Sequence, residues 1–531
     1  MKIKSSVIIS FGLTAALSGC TKLEQKLQDG LTTSPSAGGV SDTTLLTSAY
    51  NSMTGLIHSQ DRIFSLTENT TDEALVPTRG GDWDDNGVWR VLHSHKWTQL
   101  HDQFKQVFNG LGAMESGALT ALAFNPSPEQ AAEAYFIRSF AQYYYLNFFG
   151  QVPYRQIQDY NAITAAPVLD PKSAVDTLVN TLTAIIPVLS PANAPYKASP
   201  DAAKFLLMKV LLNKGAFLNP QAPTFDNADM AKVIALGNEI ISSGKYSLTP
   251  SYFDNFGTNN ASASTERIFA WHNTGAAQAP DQLNSGGINA RWMMTLHYNS
   301  YDGNKGSAGW NGFSTVADFY NTFSANDQRV GGKPYAGVTE VSGLMPGFLV
   351  GLQHDEHGNP ETDRQGNPLS FTPDVKLIET DKNRLEVAGI RVIKYPPDYA
   401  AYTGGNQRNQ LQIFRYADVM LMVAEATARS GDQATALSMT NTLRAARGAS
   451  PLGSFVLVNP ANVDDSTTFL AERGRELYWE SWRREDLIRF GVFLKAWALK
   501  DADPDPQKNL LFPIAVDQLL ANPNLKQNPG Y

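Results

Sequence analysis

One short loop holds the side chains best suited to recognise a polar, ring-shaped ligand. It reads RGGDWDDNGVW over residues 79–89. Sugars present apolar C–H faces, which stack on aromatic rings, and hydroxyl groups, which pair with carboxylates and guanidinium groups. We therefore predict that this loop contacts a saccharide, although one of its two tryptophans is expected in the core instead. The predicted ligand-binding residues of the loop are Arg79, Asp82, Trp83, Asp84 and Trp89.

The same loop has part of the spacing of a calcium-binding loop. Asp82, Asp84 and Asn86 would supply oxygen ligands at positions 1, 3 and 5, and Gly87 stands at position 6. Position 12 is His93 instead of the usual bidentate Glu. A turn built from Asp, Asn and Gly explains these residues equally well, so calcium is an alternative and not the main prediction.

A second aromatic cluster lies further along the chain, among Asn and Gly residues. It contains Trp292, Tyr298, Tyr301 and Trp310, which do not follow helical spacing. Exposed aromatic side chains on loops are better binding candidates than those on helices, so we predict that some of them line the same saccharide site. Tyr298 and Tyr301 fit equally well as packing residues beneath the loop.

The most acidic candidate for catalysis is the helical stretch from Glu472 to Arg489. Glu476 and Glu480 would be its acid and base, but Glu480 and Arg484 are four residues apart and can pair on one helix face. We favour a structural charge network that ties the last helices together. Arg138, in an aromatic helix, is likewise expected to pair with a carboxylate.

A glycoside hydrolase remains an alternative. It needs two carboxyl groups roughly 5–5.5 or 6.5–9.5 Å apart, and Asp84 or Asp85 with Asp302 would be candidates. No other catalytic motif is complete: the chain has no HExxH, no nucleophile elbow and no phosphate-binding GxxxxGK[ST] loop.

Two histidine pairs have spacing that suits a metal, but neither pair has a third ligand placed by spacing. We therefore predict that the protein is not an enzyme. We predict no catalytic site and no resident metal or other cofactor. The two pairs are His93 with His95 and His354 with His357.

The beginning of the chain has the parts of a bacterial lipoprotein signal. Lys2 and Lys4 precede an apolar run that ends in Leu17-Ser18-Gly19-Cys20. The run is too short to span a hydrocarbon core, which needs about 20 helical residues. Because Cys20 is the only cysteine of the chain, we predict that it is acylated and anchors the mature protein to a membrane.

Size and charge narrow the class of protein. The 531 residues, 42% hydrophobic and 18% charged, exceed the roughly 250–300 at which a single core stops growing. The net charge of −8 becomes −10 when Lys2 and Lys4 are removed with the signal. A negative surface disfavours nucleic acid as a partner, and it does not disfavour neutral sugars.

Helical periodicity dominates both ends of the chain and is interrupted in the middle by Gly- and Asn-rich loops. We predict a mostly α fold, a tetratricopeptide-like array of about four helical hairpins with a loop-rich insert carrying short strands such as Arg391–Tyr395. Two Gly-Asn-Pro turns, at 358–360 and 366–368, bracket a hairpin-like piece of the insert. The predicted helices are 42–58, 100–123, 128–149 (capped by Ser127), 172–189, 201–217, 227–243, 412–430, 433–447 and 468–490. The predicted organisation is a signal peptide over 1–19, a lipidated spacer over 20–40, scaffold over 41–250, a ligand-binding insert over 251–410 and scaffold over 411–531.

Four stretches together resemble the SusD/RagB-like outer-membrane lipoproteins. They are EAYFIRSFAQYYYLNFFGQVP (133–153), RYADVMLMVAEA (415–426), ERGRELYWESWRREDLIRFG (472–491) and FPIAVDQLLANPNLKQNPGY (512–531). One departure is Ser481, where many members have glycine.

The resemblance implies a non-catalytic protein of the outer membrane, lipid-anchored and facing the cell surface. Such proteins capture oligosaccharides, or peptides in some branches, and deliver them to a SusC-like TonB-dependent transporter. The identity of the glycan is left open.

Overall fold

The computed structural model describes residues 42–273, 290–300, 309–332, 345–354, 358–398 and 407–531. Within these ranges the chain is mainly helical, and short strands occur between the helices. The helices are α1 (Asp42–Asn51), α2 (Thr54–His58), α3 (Ile63–Glu68), α4 (Arg90–His93), α5 (Asp102–Ala123), α6 (Pro128–Phe149), α7 (Pro171–Ile185), α8 (Pro200–Leu218), α9 (Asn227–Ser242), α10 (Asn260–Ala263), α11 (Ala290–Met293), α12 (Ala317–Tyr320), α13 (Tyr416–Arg429), α14 (Gln433–Ala446), α15 (Phe469–Leu477), α16 (Arg483–Arg489) and α17 (Val516–Ala521).

Eight of the described helices pack in a row, each against the next: α1, α5, α6, α7, α8, α9, α13 and α14. The row amounts to four helix pairs, which confirms the predicted helical-hairpin array. The chain leaves the row after α9 and returns to it at α13, so the loop-rich residues between them form an insertion in the array. The exact boundaries of scaffold and insert stay predictions.

Local sequence explains why the central helix α6 begins and ends where it does. The side chain of Ser127 accepts a hydrogen bond from the backbone of Gln130, whose side chain caps Ser127 in return, and Pro128 occupies the first turn. Gly150 ends the helix in the left-handed conformation, at φ 64°. Most of α6 is buried on all sides, as the wide aromatic face predicts. Arg138 has its carboxylate, because its Nε donates to Glu115 Oε1 at 2.7 Å.

Three of the predicted helices are wrong in part. The first is interrupted between α1 and α2, and residues 411–415 form a strand ahead of α13. The predicted helix 468–490 is broken between α15 and α16, where Trp479 and Ser481 have positive φ angles of 58° and 72°. The backbone N–H of Ser481 donates to Glu68 Oε1 at 2.6 Å, so a distant carboxylate stabilises the break.

The strands form small two-stranded sheets, and the one at Arg391 confirms a predicted strand. The hairpin-like piece is also present, because isolated bridges join His354 to Pro360 and Thr362 to Pro368. The strands are β1 (Thr78–Arg79), β2 (Val152–Pro153), β3 (Val168–Leu169), β4 (Arg267–Trp271), β5 (Gly347–Leu349), β6 (Gly351–Leu352), β7 (Ser370–Phe371), β8 (Ile378–Glu379), β9 (Arg391–Ile393) and β10 (Leu411–Arg415), paired β1–β8 (parallel) and, antiparallel, β2–β3, β4–β10, β5–β9 and β6–β7.

The acidic stretch of α15 lies in the core and not in a cleft. Glu476 accepts hydrogen bonds from Arg415 at 2.7 Å, Arg447 at 2.8 Å and Arg329 at 3.1 Å. Burial would raise the pKa of Glu476, but the three guanidinium groups outweigh it and hold the pKa well below its ordinary value. Glu480 pairs with Arg415 as well. We call this set the buried ion-pair network; its members are Glu266, Arg329, Arg415, Arg447, Glu472, Glu476 and Glu480.

The network supports the structural interpretation of Glu476 and Glu480. The predicted pair of Glu480 with Arg484 is wrong, because Arg484 donates to backbone carbonyls of Asn147 and Leu510 instead. Among the described helices, none is both long enough and apolar enough to cross a membrane.

Candidate functional site

The loop 79–89 is held at its start by the parallel pairing of β1 with β8. Beyond the strand, the loop turns sharply, with positive φ angles of 60° at Trp83, 39° at Asp85 and 55° at Asn86. The Trp83 ring packs directly on the backbone of Gly312, where a Cβ atom would lie 2.3 Å from the indole. Gly312 is therefore required for this packing, since any larger residue would displace Trp83.

Trp83 belongs to an aromatic cluster that joins the two predicted groups of aromatic residues. Its ring centroid lies 5.3 Å from that of Trp89, 5.6 Å from Phe313 and 6.4 Å from Trp310. Its Nε1 donates to the carbonyl oxygen of Trp310 at 2.8 Å. Trp83 and Trp310 are half-buried, so each keeps part of its ring available at the surface.

Tyr298 is joined to the loop 79–89 through Asp82 and has a polar group on each side. Its hydroxyl donates to Asp82 Oδ2 at 2.5 Å, and the guanidinium carbon of Arg364 lies 3.8 Å from its ring centroid. Burial, together with the hydrogen bond to Asp82, raises the pKa of Tyr298, so the phenol stays neutral. The side chains of Asp82 and Arg364 are 52% and 51% exposed, and they are accessible to a ligand.

The position of Arg364 is fixed from below. Its Nε donates to Glu386 Oε1 at 2.6 Å, and Glu386 Oε2 accepts a hydrogen bond from His297 Nε2 at 2.8 Å. The backbone N–H of Asn299 donates to His297 Nδ1 at 3.1 Å, which identifies the neutral tautomer that carries its proton on Nε2. Burial lowers the pKa of His297 to about 4. Burial would raise the pKa of Glu386, but its hydrogen bonds, first those from Arg364 and then that from His297, lower it.

We call this arrangement the Trp83–Tyr298 face. It brings together four residues predicted from the sequence and one that sequence reasoning missed. Arg364 was missed because it lies in the polar hairpin between the two Gly-Asn-Pro turns, and no local pattern indicates that its partners are 22 and 66 residues away along the chain. The face consists of Asp82, Trp83, Tyr298, Trp310 and Arg364.

Three predicted ligand contacts need correction. Arg79 is buried, and its guanidinium donates to Ala388 O at 2.8 Å and to Ser314 Oγ at 2.9 Å. Trp89 is buried, and its Nε1 donates to Asp85 Oδ2 at 2.6 Å. Trp292 has no exposed surface. These side chains are buried and do not present a surface to a ligand. Tyr301 lies outside the described residues.

The calcium alternative is not supported by the positions of the loop carboxylates. Asp84 pairs with Arg90 and Asp82 with Tyr298, so they point to different partners. Among the described residues, no group of three His, Cys, Asp or Glu side chains is arranged to hold a metal ion.

His93 and His95 have hydrogen-bond partners within the protein. His93 is buried between the carbonyl oxygens of Ala74 and Ala498, and His95 contacts Asp503 Oδ2 at 2.8 Å. His354 is exposed, and His357 lies outside the described ranges.

The described carboxylates near this face do not support the hydrolase alternative. A general acid needs a raised pKa, whereas the pKa of Glu386 is lowered. Asp85 is the hydrogen-bond acceptor of Trp89 and Asp84 the partner of Arg90. Asp302, the proposed second carboxylate, lies outside the described residues.

The fold and the site define a helical-hairpin scaffold that presents an aromatic and polar loop face, which is the architecture of a binding protein. A family model described as the SusD family matches residues 242–505. The starch-binding protein SusD of Bacteroides thetaiotaomicron is 24% identical over 503 residues, which cover 88% of this chain and 85% of the relative.

Solved structures share the fold over nearly the full length. A SusD superfamily protein from Parabacteroides distasonis superposes with a TM-score of 0.68 at 18% identity, covering 92% of this chain and 98% of the other. Surface glycan-binding protein A from Bacteroides thetaiotaomicron, in complex with laminarihexaose, gives a TM-score of 0.64 at 17% identity, with the same two coverages. At such identities the likeness shows the fold alone. The family model and the curated relative make the chain similar to the SusD family, and the shared fold agrees with that similarity.

Proposed function

We propose that this protein captures an oligosaccharide or polysaccharide on the Trp83–Tyr298 face and delivers it to a SusC-like TonB-dependent transporter of the outer membrane. It does so as a surface-exposed lipoprotein anchored through Cys20. It binds its ligand and does not cleave it.

The observation that carries the proposal is the combination of half-exposed rings with fixed polar groups. Trp83, Tyr298 and Trp310 offer surface for stacking against a sugar ring, and Asp82 and Arg364 offer an acceptor and donors for its hydroxyl groups. Since Arg364 is held by Glu386 and Glu386 by His297, these groups lose little conformational entropy when a ligand binds. A sequence relative named for binding starch and a solved structure of a surface glycan-binding protein support saccharide as the ligand class.

The anchor and the partner rest on the family resemblance and on the beginning of the sequence. Acylation of Cys20 would hold the protein at the membrane, and the spacer over 20–40, rich in Ser, Thr and Gly, would let the helical body move over a membrane-embedded transporter.

The saccharide site is tested by affinity electrophoresis through gels that contain one polysaccharide each. We expect at least one polysaccharide to retard the mature protein, and Trp83→Ala to abolish the retardation. Tyr154→Ala is the control, since Tyr154 is a half-buried aromatic residue outside the face; its ring carries the guanidinium of Arg138 at 4.2 Å, as the Tyr298 ring carries that of Arg364. Equal retardation of Trp83→Ala and the parent would place the ligand elsewhere. Release of reducing ends from the bound polysaccharide would show that the protein is an enzyme.

The anchor and the transporter are tested in cells that express the partner barrel. We expect Cys20→Ala to leave the membrane fraction when the barrel gene is deleted, and the parent protein to remain. Retention of Cys20→Ala at the outer membrane without the barrel would contradict the lipid anchor. Failure of the parent to copurify with the barrel from gently solubilised membranes would contradict the delivery step.

A further inference from the structure

The charges around the Trp83–Tyr298 face bear on which class of glycan it accepts. We propose that the face is specific for uncharged glycans and discriminates against saccharides that carry carboxylate or sulfate groups. This inference rests on the proposed function, since it assumes that the face binds saccharide.

The exposed cation of the face is already neutralised by carboxylates of the protein. Arg364 Nε lies 2.6 Å from Glu386 Oε1, and its Nη2 lies 3.8 Å from Asp82 Oδ2. A sugar carboxylate that approached Arg364 would therefore meet one guanidinium group flanked by two acids. A sugar hydroxyl, by contrast, can accept from the outer N–H groups of Arg364 or donate to Asp82 without a charge penalty.

The other arginines near the face are committed as well. Arg90 pairs with Asp84. Arg79 and Arg391 are buried, and both donate to the carbonyl oxygen of Ala388 and to Ser314 Oγ. Burial lowers the pKa of Arg79 to about 10, and the group remains charged at neutral pH, but it offers no N–H to the surface. Each of these three arginines is therefore already paired or buried.

Further carboxylates add negative charge beside it. Asp85 is exposed at the tip of the loop 79–89. Asp363 precedes Arg364 and accepts backbone hydrogen bonds from Gln365 at 2.9 Å and Asn367 at 2.8 Å. Although partial burial opposes it, these bonds lower the pKa of Asp363, so it stays ionised.

Recognition of an anionic sugar ordinarily uses a free Arg or Lys that binds the carboxylate or sulfate in charge-assisted hydrogen bonds. Here Arg364 is flanked by Asp82 and Glu386, and Arg90, Arg79 and Arg391 are paired or buried. An anionic ligand is therefore repelled, whereas a neutral one keeps every stacking and hydroxyl contact.

The test compares derivatives of one polysaccharide. A neutral polysaccharide that retards the protein is used as such, as its hydroxyethyl derivative and as its carboxymethyl derivative at matched substitution. At 50 mM NaCl we expect the hydroxyethyl form to bind within threefold of the parent polysaccharide, and the carboxymethyl form at least tenfold more weakly. The difference in affinity between the hydroxyethyl and carboxymethyl forms should become smaller at 500 mM NaCl, because the salt shortens the range of the repulsion.

A gain-of-charge variant sharpens the test. Gln365 is exposed beside Arg364, so Gln365→Lys supplies an uncommitted cation and should improve carboxymethyl binding at least threefold, whereas Gln365→Met should not. Equal or tighter binding of the carboxymethyl form, removed by Trp83→Ala, would overturn this inference and leave the saccharide site intact. If neither neutral nor anionic polysaccharides bind, the proposed function fails together with it.

Discussion

Arginine–carboxylate pairs of nearly equal length occur in two regions of this protein and do different work. Arg415 and Glu476 lie 2.7 Å apart, with side chains 1% and 0% exposed. Arg364 and Glu386 lie 2.6 Å apart, but the arginine is 51% exposed. The first pair has further charged partners within the core, and the second leaves part of its guanidinium at the surface. The comparison indicates that burial, and not the ion pair itself, decides whether such a pair stabilises the scaffold or takes part in ligand recognition.

The largest expected effect is the loss of a network carboxylate. Glu476→Ala would leave Arg329, Arg415 and Arg447 without their shared partner, and breaking buried pairs in this way costs about 3–5 kcal/mol. Urea unfolding should show the loss. Asp517→Ala, which removes an exposed pair with Lys105, serves as the control and should leave the midpoint unchanged. A Glu476→Ala midpoint equal to that of the parent would refute the structural role of the network.

The stability of the fold should decrease both as the pH falls towards 2 and as it rises towards 8. Arginine neighbours outweigh burial and lower the pKa of Glu472 and of Glu425 to about 2, so the stability they confer is present above the unfolded pKa and is lost as pH falls towards 2. Burial raises the pKa of Glu68 to about 8 and that of Asp464 to about 7. The stability that these groups confer is therefore present below their unfolded pKa and is lost as pH rises through the folded pKa. Thermal melts should therefore show a maximum near about pH 5. A melting temperature that rises steadily from pH 5 to 8 would contradict these assignments.

On the Trp83–Tyr298 face, we expect substitutions to change ligand binding and not the stability of the fold. Tyr298→Ala removes the ring that Asp82 and Arg364 flank and should weaken glycan binding at least tenfold, or about 1.4 kcal/mol. The melting temperature should stay close to that of the parent, because Tyr298 is only half-buried. Isothermal titration with an oligosaccharide of the retarding polysaccharide measures the affinity. A Tyr298→Ala protein that binds normally would remove this residue from the site.

A smaller effect is expected beneath the face. Glu386→Gln keeps the shape of the side chain but removes the charge that holds Arg364, so affinity should fall about threefold, or roughly 0.7 kcal/mol. Glu379→Gln is a suitable comparison, since Glu379 also pairs with an arginine, Arg384 at 3.1 Å, and takes no part in the face. Identical affinities for the two variants would show that Arg364 needs no fixed position.

The smallest effect is expected at the break between α15 and α16. Ser481 adopts φ 72°, a conformation that glycine adopts without strain, so Ser481→Gly should stabilise the fold by up to about 1 kcal/mol. The hydrogen bond from its backbone to Glu68 is retained. Ser481→Ala, which keeps the strain, should give no gain in urea unfolding, and a loss of stability in the glycine variant would contradict the account of the break.

The array could be predicted closely because periodicity and caps are local signals. The α6 helix begins after the Ser127 cap and ends at Gly150 as predicted, whereas the break at Trp479 and Ser481 depends on Glu68, which is more than 400 residues away in the sequence. Likewise, Asp82, Trp83, Tyr298 and Trp310 could be proposed from composition. The burial of Trp292 and the role of Arg364 depend on tertiary packing that no local pattern indicates. Which side chains touch the ligand stays a prediction.

The most direct test of the account is a crystal structure of the mature protein with a neutral oligosaccharide of the polysaccharide that retards it. We expect a sugar ring within van der Waals contact of Tyr298 or Trp83, and a hydroxyl group hydrogen-bonded to Asp82 or Arg364. A large cavity, of about 560 Å³, lies between residues 94–98 and 499–509. A sugar bound there, with the Trp83–Tyr298 face empty, would contradict the account.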